Sequence, residues 1–438
     1  MRAPCTLEPL AHRGFQLLAG GQLASNVGDA AYAVALPWYI LADHGGAILL
    51  GTVLAAYGVP RSVLVAFGGH ASDRWRPWNV MMAADVVRAI AVAALAVISA
   101  TGPAHAVLLV PVAAVLGAGE GMFLPASFAI VPSLLADDQL QAGNALTSSG
   151  TQLAALIGPG VGGTVVALVG PAPAFGIDAV SFAVSAATLA ALRGRQRPQP
   201  PTGAGPGAHL AGTAGAAGPE ADSRSQPVTL RRLVSSQRVL QVILIVTIAA
   251  NLSSGGTSEV ALPTLAREGF HVGAGGYGAL LAAFGAGALL GTLAAGQARR
   301  ARRPAMWASA AFLAEAGFLA AVPFSGGVVP AAGALAAYGA SNGFGNIVAI
   351  TAFQRWAPPA LLGRLMGLLL LASFGTYPAS VLLGGLVVHD LGAPTFFLIS
   401  AAVLAAAVLA GLTQPTWRSF GTENPAPIPL DPSSQETL

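Results

Sequence analysis

Gly69-His70-Ala71-Ser72-Asp73-Arg74-Trp75-Arg76 is a charged run between two long apolar segments, and its surroundings recur in the second half of the chain. Residues 50–58, LGTVLAAYG, lead into Gly69 and then Asp73-Arg74-Trp75-Arg76-Pro77; residues 277–285, YGALLAAFG, lead into Gly296 and then Arg300-Ala301-Arg302-Arg303-Pro304. The step from Gly51 to Gly278 equals the step from Pro77 to Pro304, so the stretches align without a gap. A second match, Val34-Ala35-Leu36-Pro37 with Val260-Ala261-Leu262-Pro263, lies at a step shorter by a single position. The charged run is expected to be the same turn in two halves of a duplicated chain, both halves having the same orientation.

Composition says what surrounds the halves. Of 438 residues, 54% are hydrophobic and 9% charged, and the mean hydropathy is +0.68, too apolar for an ordinary soluble domain. A helix needs about 20 apolar residues to cross a hydrocarbon core roughly 30 Å thick. Twelve such segments are expected, at 15–42, 48–70, 79–101, 105–130, 143–169, 173–192, 238–263, 275–297, 305–324, 327–353, 363–388 and 393–412. The fold class is therefore an all-α membrane protein, its twelve transmembrane helices forming two pseudo-symmetric six-helix bundles, 15–192 and 238–412. Between them, 193–237 is rich in Pro, Gly and Ala without an amphipathic period, the composition of a disordered linker. Parallel six-helix halves are a transporter architecture in which the substrate site lies between the halves near mid-depth.

All 21 basic residues are arginine, and they set the orientation. Arg74, Arg76, Arg193, Arg195, Arg197, Arg224, Arg231, Arg232, Arg299, Arg300, Arg302 and Arg303 fall on the side of the N-terminus, and only Arg267 on the other. The positive-inside rule places that side in the cytoplasm, with the segment 1–14, the linker and the tail 413–438. This bias accounts for the basic balance without nucleic acid. Cys5 is the single cysteine, which excludes an intrachain disulfide, and no metal site, phosphate loop or nucleophile–base pair points to a cofactor or an enzyme. The first segment is too long for a cleaved signal peptide and carries Asp29.

An ionisable group at the centre of a membrane helix costs about 2.5–3.5 kcal/mol on insertion scales, so each needs a partner or an aqueous cavity. Asp29, Arg61, Asp85, Arg88, Glu120, Asp178, Glu259 and Glu315 all fall inside expected spans. Polar residues at helical spacing mark interior faces: Gln22, Asn26, Asp29 and Tyr32; Asn144, Ser148 and Gln152; Asn251, Ser254 and Ser258 beside Glu259; Asn342 and Asn346. With Tyr57 and Tyr377 these are candidates to line a wet cavity. Hydrogen bonding that serves only helix packing is the other role open to each. Asp29 and Glu120 are the proton-coupling candidates, since a carboxylate in a poorly hydrated site holds its proton more readily than one in water. Asp29 and Arg61 lie at similar depth, which also allows a permanent pair. Asp85 and Arg88, three apart on one helix, are expected to neutralise one another. Gly158, Pro159, Gly162 and Gly163 predict a kinked, tightly packed fifth span, as a packing feature or as a moving gate.

On these residues the chain resembles the major facilitator superfamily over 15–412. The run at Gly69, Asp73, Arg74 and Arg76 is similar to that superfamily's turn between the second and third spans, with Ala71 and Pro77-Trp78 as departures. The resemblance implies a cytoplasmic gating role for Asp73 and Arg74. Gly150 with Gly158-Pro159 and Gly162-Gly163 is similar to the superfamily's antiporter motif. Ser25–Asp29, Val34–Trp38, Ala84-Asp85 with Arg88-Ala89, and Gly363–Gly367 resemble the bacterial branch of macrolide-efflux and enterobactin-export carriers. That likeness implies drug or siderophore export driven by protons; the expectation is a proton-coupled exporter of a drug-like or secondary-metabolite small molecule, a monomer in the cell membrane. A nutrient importer on the same fold and a non-transporting receptor are the alternatives.

Overall fold

A computed structural model describes residues 8–42, 46–136, 139–193, 234, 237–297, 303–357 and 359–420. The expected linker, 193–237, lies almost wholly outside them. The described chain is helical throughout: α1 (Arg13–Ala42), α2 (Gly46–Trp75), α3 (Pro77–Thr101), α4 (Ala106–Ile130), α5 (Leu140–Val169), α6 (Pro171–Arg193), α7 (Arg238–Gly269), α8 (Ala274–Gln297), α9 (Pro304–Ala321), α10 (Val328–Trp356), α11 (Pro359–Leu391), α12 (Ala393–Thr413) and a short α13 (Pro415–Arg418). Among the described residues, ten helices are long and apolar enough to cross a membrane. α1 and α10, at 30 and 29 residues, are as long but less apolar. Their polar residues, Gln22, Asn26 and Asp29 in one and Asn342 and Asn346 in the other, are the reason.

Breaks between helices follow backbone chemistry. Gly170 (φ 86°) and Gly392 (φ 83°) turn the chain in the left-handed region where a side chain would clash. The charged run differs from expectation. It is not a turn but the last part of α2, which continues to Trp75; the turn is Arg76 alone, at φ 67° and ψ 134°. Pro77 opens α3 and disfavours a helical residue before it, so the break falls one residue ahead of the proline.

Packing repeats with the sequence. In the first half α2 packs on α4, α1 on α5 and α6, and α3 on α4 and α6; in the second α8 packs on α10, α7 on α11 and α12, and α9 on α10 and α12. Each first pair has its counterpart six helices on. The repeat persists at atomic detail. A Cβ on Gly117 would run into the Tyr57 carbonyl oxygen, and one on Gly339 into that of Phe284. Phe284 is the residue that the alignment of the two halves sets opposite Tyr57. Small residues let backbones approach where lipid supplies no hydrophobic drive between helices.

The halves meet through α2 with α11 and α5 with α8, again counterparts. Gly51 faces the Val381 carbonyl and Gly385, and Gly278 faces the Pro159 carbonyl and Gly163. These contacts lie toward the end where α1 meets α2 and α7 meets α8. One buried apolar cluster joins both halves there, with Ile40 and Leu50 from the first and Leu262 and Tyr277 from the second. At the opposite end each half has its own cluster, Phe15, Met81 and Ile130 in one and Leu240, Phe353 and Leu365 in the other. The molecule is thus knit together at one end and divided at the other. Large apolar side chains such as Val107, Leu168 and Val329 point outward, as a lipid-facing surface requires.

Candidate functional site

Between the halves lies a cavity of about 600 Å³. Residues of α1 to α6 form one side, and residues of α7, α8 and α11 the other. Its walls are apolar except for two ion pairs and a few hydroxyl, amide and carboxyl groups. Arg88 Nη2 is 2.9 Å from Asp29 Oδ1, tying α3 to α1. Arg61 Nη2 is 3.0 Å from Glu120 Oε1, tying α2 to α4. The Arg61 guanidinium also lies 4.8 Å from the Phe374 ring, and Ser62 Oγ donates to the Phe374 carbonyl at 2.7 Å, so this pair abuts α11 of the other half.

The pairing corrects one expectation and extends another. Arg61 meets Glu120 and not Asp29, because α2 packs chiefly along α4, while α1 lies against α5 and α6. Equal depth does not decide which helix is adjacent. Asp85 and Arg88 form the expected ion pair, but Arg88 is shared with Asp29. Arg88 Nη1 is 3.8 Å from Asp85 Oδ1, farther than from Asp29, and Asp85 Oδ2 accepts a 2.6 Å hydrogen bond from Ser185. The arginine sits 3.9 Å from the Phe182 ring, which fixes it between α1, α3 and α6.

Of the residues singled out from the sequence, the cavity brings together Asn26, Asp29, Tyr32, Tyr57, Arg61, Arg88, Glu120, Gln152, Pro159, Asp178, Ser258, Glu259 and Tyr377. Asn26 Nδ2 donates to Thr151 Oγ1 at 3.2 Å, and the Tyr377 hydroxyl donates to Glu259 Oε2. Glu259 reaches the wall from an irregular stretch of α7, where the helix widens into π-helical turns at Thr257–Ala261 and Leu265–Gly269. Three candidates lie outside the lining and bond within the second half. Asn251 donates to the Thr247 carbonyl and to Ser373, Asn342 to Glu315 Oε1 at 3.1 Å, and Asn346 to the Asn342 carbonyl. The side chains of Asn144, Gly69 and Asp73 lie outside those described, and Arg74 and Arg76 are exposed beside the α2–α3 break. Gly158 and Gly162 face Ala30 and Ala31 of α1, while Gly163 faces α8. Sequence reasoning missed Tyr277 and Phe284 in the wall. The repeat held the signal, since it aligns Phe284 with Tyr57.

A many-spanning helical protein with a polar cavity in an apolar interior has the architecture of a membrane transporter. The family model described as transmembrane secretion effector matches residues 4–429. The multidrug efflux pump Tap of Mycobacterium tuberculosis is 31% identical over 183 residues, 40% of this chain and 43% of the relative. Its counterpart in Mycolicibacterium fortuitum is 27% identical over 183 residues, 40% of this chain and 44% of the relative. The match thus spans less than half of these curated relatives. Among solved structures, a POT family transporter in complex with 5-aminolevulinic acid has a TM-score of 0.71 at 14% identity, covering 92% of this chain and 96% of that one. A bacterial homologue of the iron transporter ferroportin, in an inward-facing state, has a TM-score of 0.66 at 17% identity, covering 93% and 99%. At these identities the likeness shows the fold. The chain belongs to the transmembrane secretion effector family of major facilitator transporters. It is a multi-pass membrane transporter, not an enzyme.

Proposed function

We propose that the protein is a proton-coupled exporter of drug-sized apolar molecules, working by alternating access between two pseudo-symmetric bundles of six membrane-spanning helices. The observation that carries the reading is the cavity itself, roofed by contacts between the halves at one end and flanked by two carboxylate–arginine pairs. A volume of about 600 Å³ is in the range that encloses a drug-sized ligand. The bias of arginines to one side supports a cytoplasmic position for both termini and the divided end, from which the cavity would take its load within the cell. The name of the partial relatives, multidrug efflux pump, supports the outward direction.

Coupling follows from the pairs. When Glu120 or Asp29 takes a proton, its arginine loses the counter-charge that holds it, and the cost of leaving that cation in the wall differs between the two conformations. Arg61, placed against Phe374, would transmit that change across the α2–α11 interface. The protein would act as a monomer, with the α2–Arg76 region as its cytoplasmic latch. The test is pH-gradient-driven export from proteoliposomes by Asp29→Asn and Glu120→Gln variants. Full retention of gradient-driven transport by both would rule out coupling through these carboxylates.

A further inference from the structure

The carboxylates around the cavity are not alike. Asp29 has Arg88 at 2.9 Å and Glu120 has Arg61 at 3.0 Å. Asp178 is sunk in the wall, 1% exposed, with Ser181 as its donor. Glu259 lines the cavity partly exposed, and among the described residues its side chain accepts only from the uncharged hydroxyl of Tyr377 and joins no ion pair. Both cavity arginines make their close ion pairs with other carboxylates, Arg61 acting on Glu259 only from a distance, so Glu259 has no cation in contact with it among the described residues. A carboxylate that is only partly hydrated in a largely apolar wall is costly without a cation beside it.

Its surroundings suit a cation. The Tyr57 and Tyr377 rings stand edge to face with centroids 6.5 Å apart; Arg61 already lies 5.7 Å from the Tyr57 ring, which leaves Tyr377 as the aromatic ring beside Glu259 that can attract an organic cation. Leu54, Leu281 and Phe284 supply apolar wall nearby. Thr257–Ala261 is a π-helical turn, a form that is uncommon and concentrates at functional positions, and it sets Ser258 and Glu259 together on the cavity wall.

We propose that Glu259, oriented by Tyr377, is the recognition point for a positively charged group, so that the cavity selects organic cations over neutral or anionic molecules of similar size. The cationic head lies against Glu259 and Tyr377, the apolar body against the leucines and Phe284. The inference names the substrate class of the exporter and rests on that reading only for the direction of movement.

Equilibrium binding of tetraphenylphosphonium and of uncharged triphenylphosphine oxide to the full chain in nanodiscs tests it. The wild type should prefer the cation. Glu259→Gln should weaken tetraphenylphosphonium binding by roughly tenfold or more, the size of one lost ion–ion attraction in a partly hydrated site, and leave the oxide within about twofold. Glu259→Asp, which keeps the charge, should keep the preference. Unchanged tetraphenylphosphonium affinity in Glu259→Gln, or loss of preference in Glu259→Asp with the oxide still bound, overturns the assignment. Transport in proteoliposomes separates the two readings. Export of the oxide by a protein whose cation affinity is indifferent to residue 259 overturns this inference alone. Glu259-dependent cation binding without movement of either compound upholds it and overturns the exporter reading.

Discussion

Replacing Arg88 with Met should destabilise the first half more than any other single change in the cavity wall. The guanidinium is nearly buried, reaching Asp29 at 2.9 Å and Asp85 at 3.8 Å. Asp29 is 42% exposed and water in the cavity would take over its solvation. Asp85 is fully enclosed, with Ser185 as its remaining donor and Oδ1 otherwise without a hydrogen bond. Removing one member of a buried pair costs about 3–5 kcal/mol, because the other charge stays behind. Loss of the Phe182 contact at 3.9 Å adds about 1 kcal/mol. Since the two terms overlap, we expect about 4 kcal/mol, measured by detergent-titrated unfolding in mixed micelles. The double variant Asp85→Asn with Arg88→Met keeps the Ser185 contact and leaves no enclosed charge without a partner, Asp29 being open to the cavity, so it should lie within about 1.5 kcal/mol of wild type. A single variant costing under about 1 kcal/mol, or a double variant no better than the single, refutes the account.

Gly278→Val drives a Cβ into the Pro159 carbonyl and to 3.0 Å from Gly163. Overpacking of about 1–3 kcal/mol should shift the conformational balance roughly tenfold away from the form closed between α5 and α8. Spin-label distances across that interface would read the shift, and an unchanged distribution would mean the contact does not hold that end shut. Asn342→Ala removes the donor to Glu315, which is 1% exposed, and should cost about 1–3 kcal/mol in the same unfolding assay. Substrate affinity should stay as it was, because neither residue lines the cavity; altered affinity would contradict the assignment of this pair to packing. Trp417→Phe forfeits the 3.0 Å bond from Nε1 to Ser309 on α9 while keeping a ring beside Phe420. A loss of about 1 kcal/mol in the unfolding assay is expected, and none would show that α13 adds nothing to the packing of that half.

Bilayer thickness makes long apolar runs readable one by one. The third was expected at 79–101 and the helix occupies Pro77–Thr101; the tenth was expected at 327–353 and occupies Val328–Trp356. The repeat was readable for a similar reason: a single constant step links helix breaks, apolar runs and the wall residues Tyr57 and Phe284. The charged run was misjudged as a turn because helix ends depend on the residue before a proline, and a run of polar and small residues can equally continue a helix.

Periodicity along one helix shows that a polar face exists, so the sequence is enough to identify which helices carry such faces. It does not show what stands opposite. Asn26 and Gln152 open on the cavity, whereas Asn251 and Asn342, at the same kind of spacing, bond to neighbouring helices. Only the packed bundle reveals that Arg61 meets Glu120, that Arg88 is shared by Asp29 and Asp85, and that Glu259 joins no ion pair among the described residues. Charge pairing acts over a few ångströms, between helices distant in sequence. Which helices come that close is set by glycines and small side chains whose meaning is visible only across the interface.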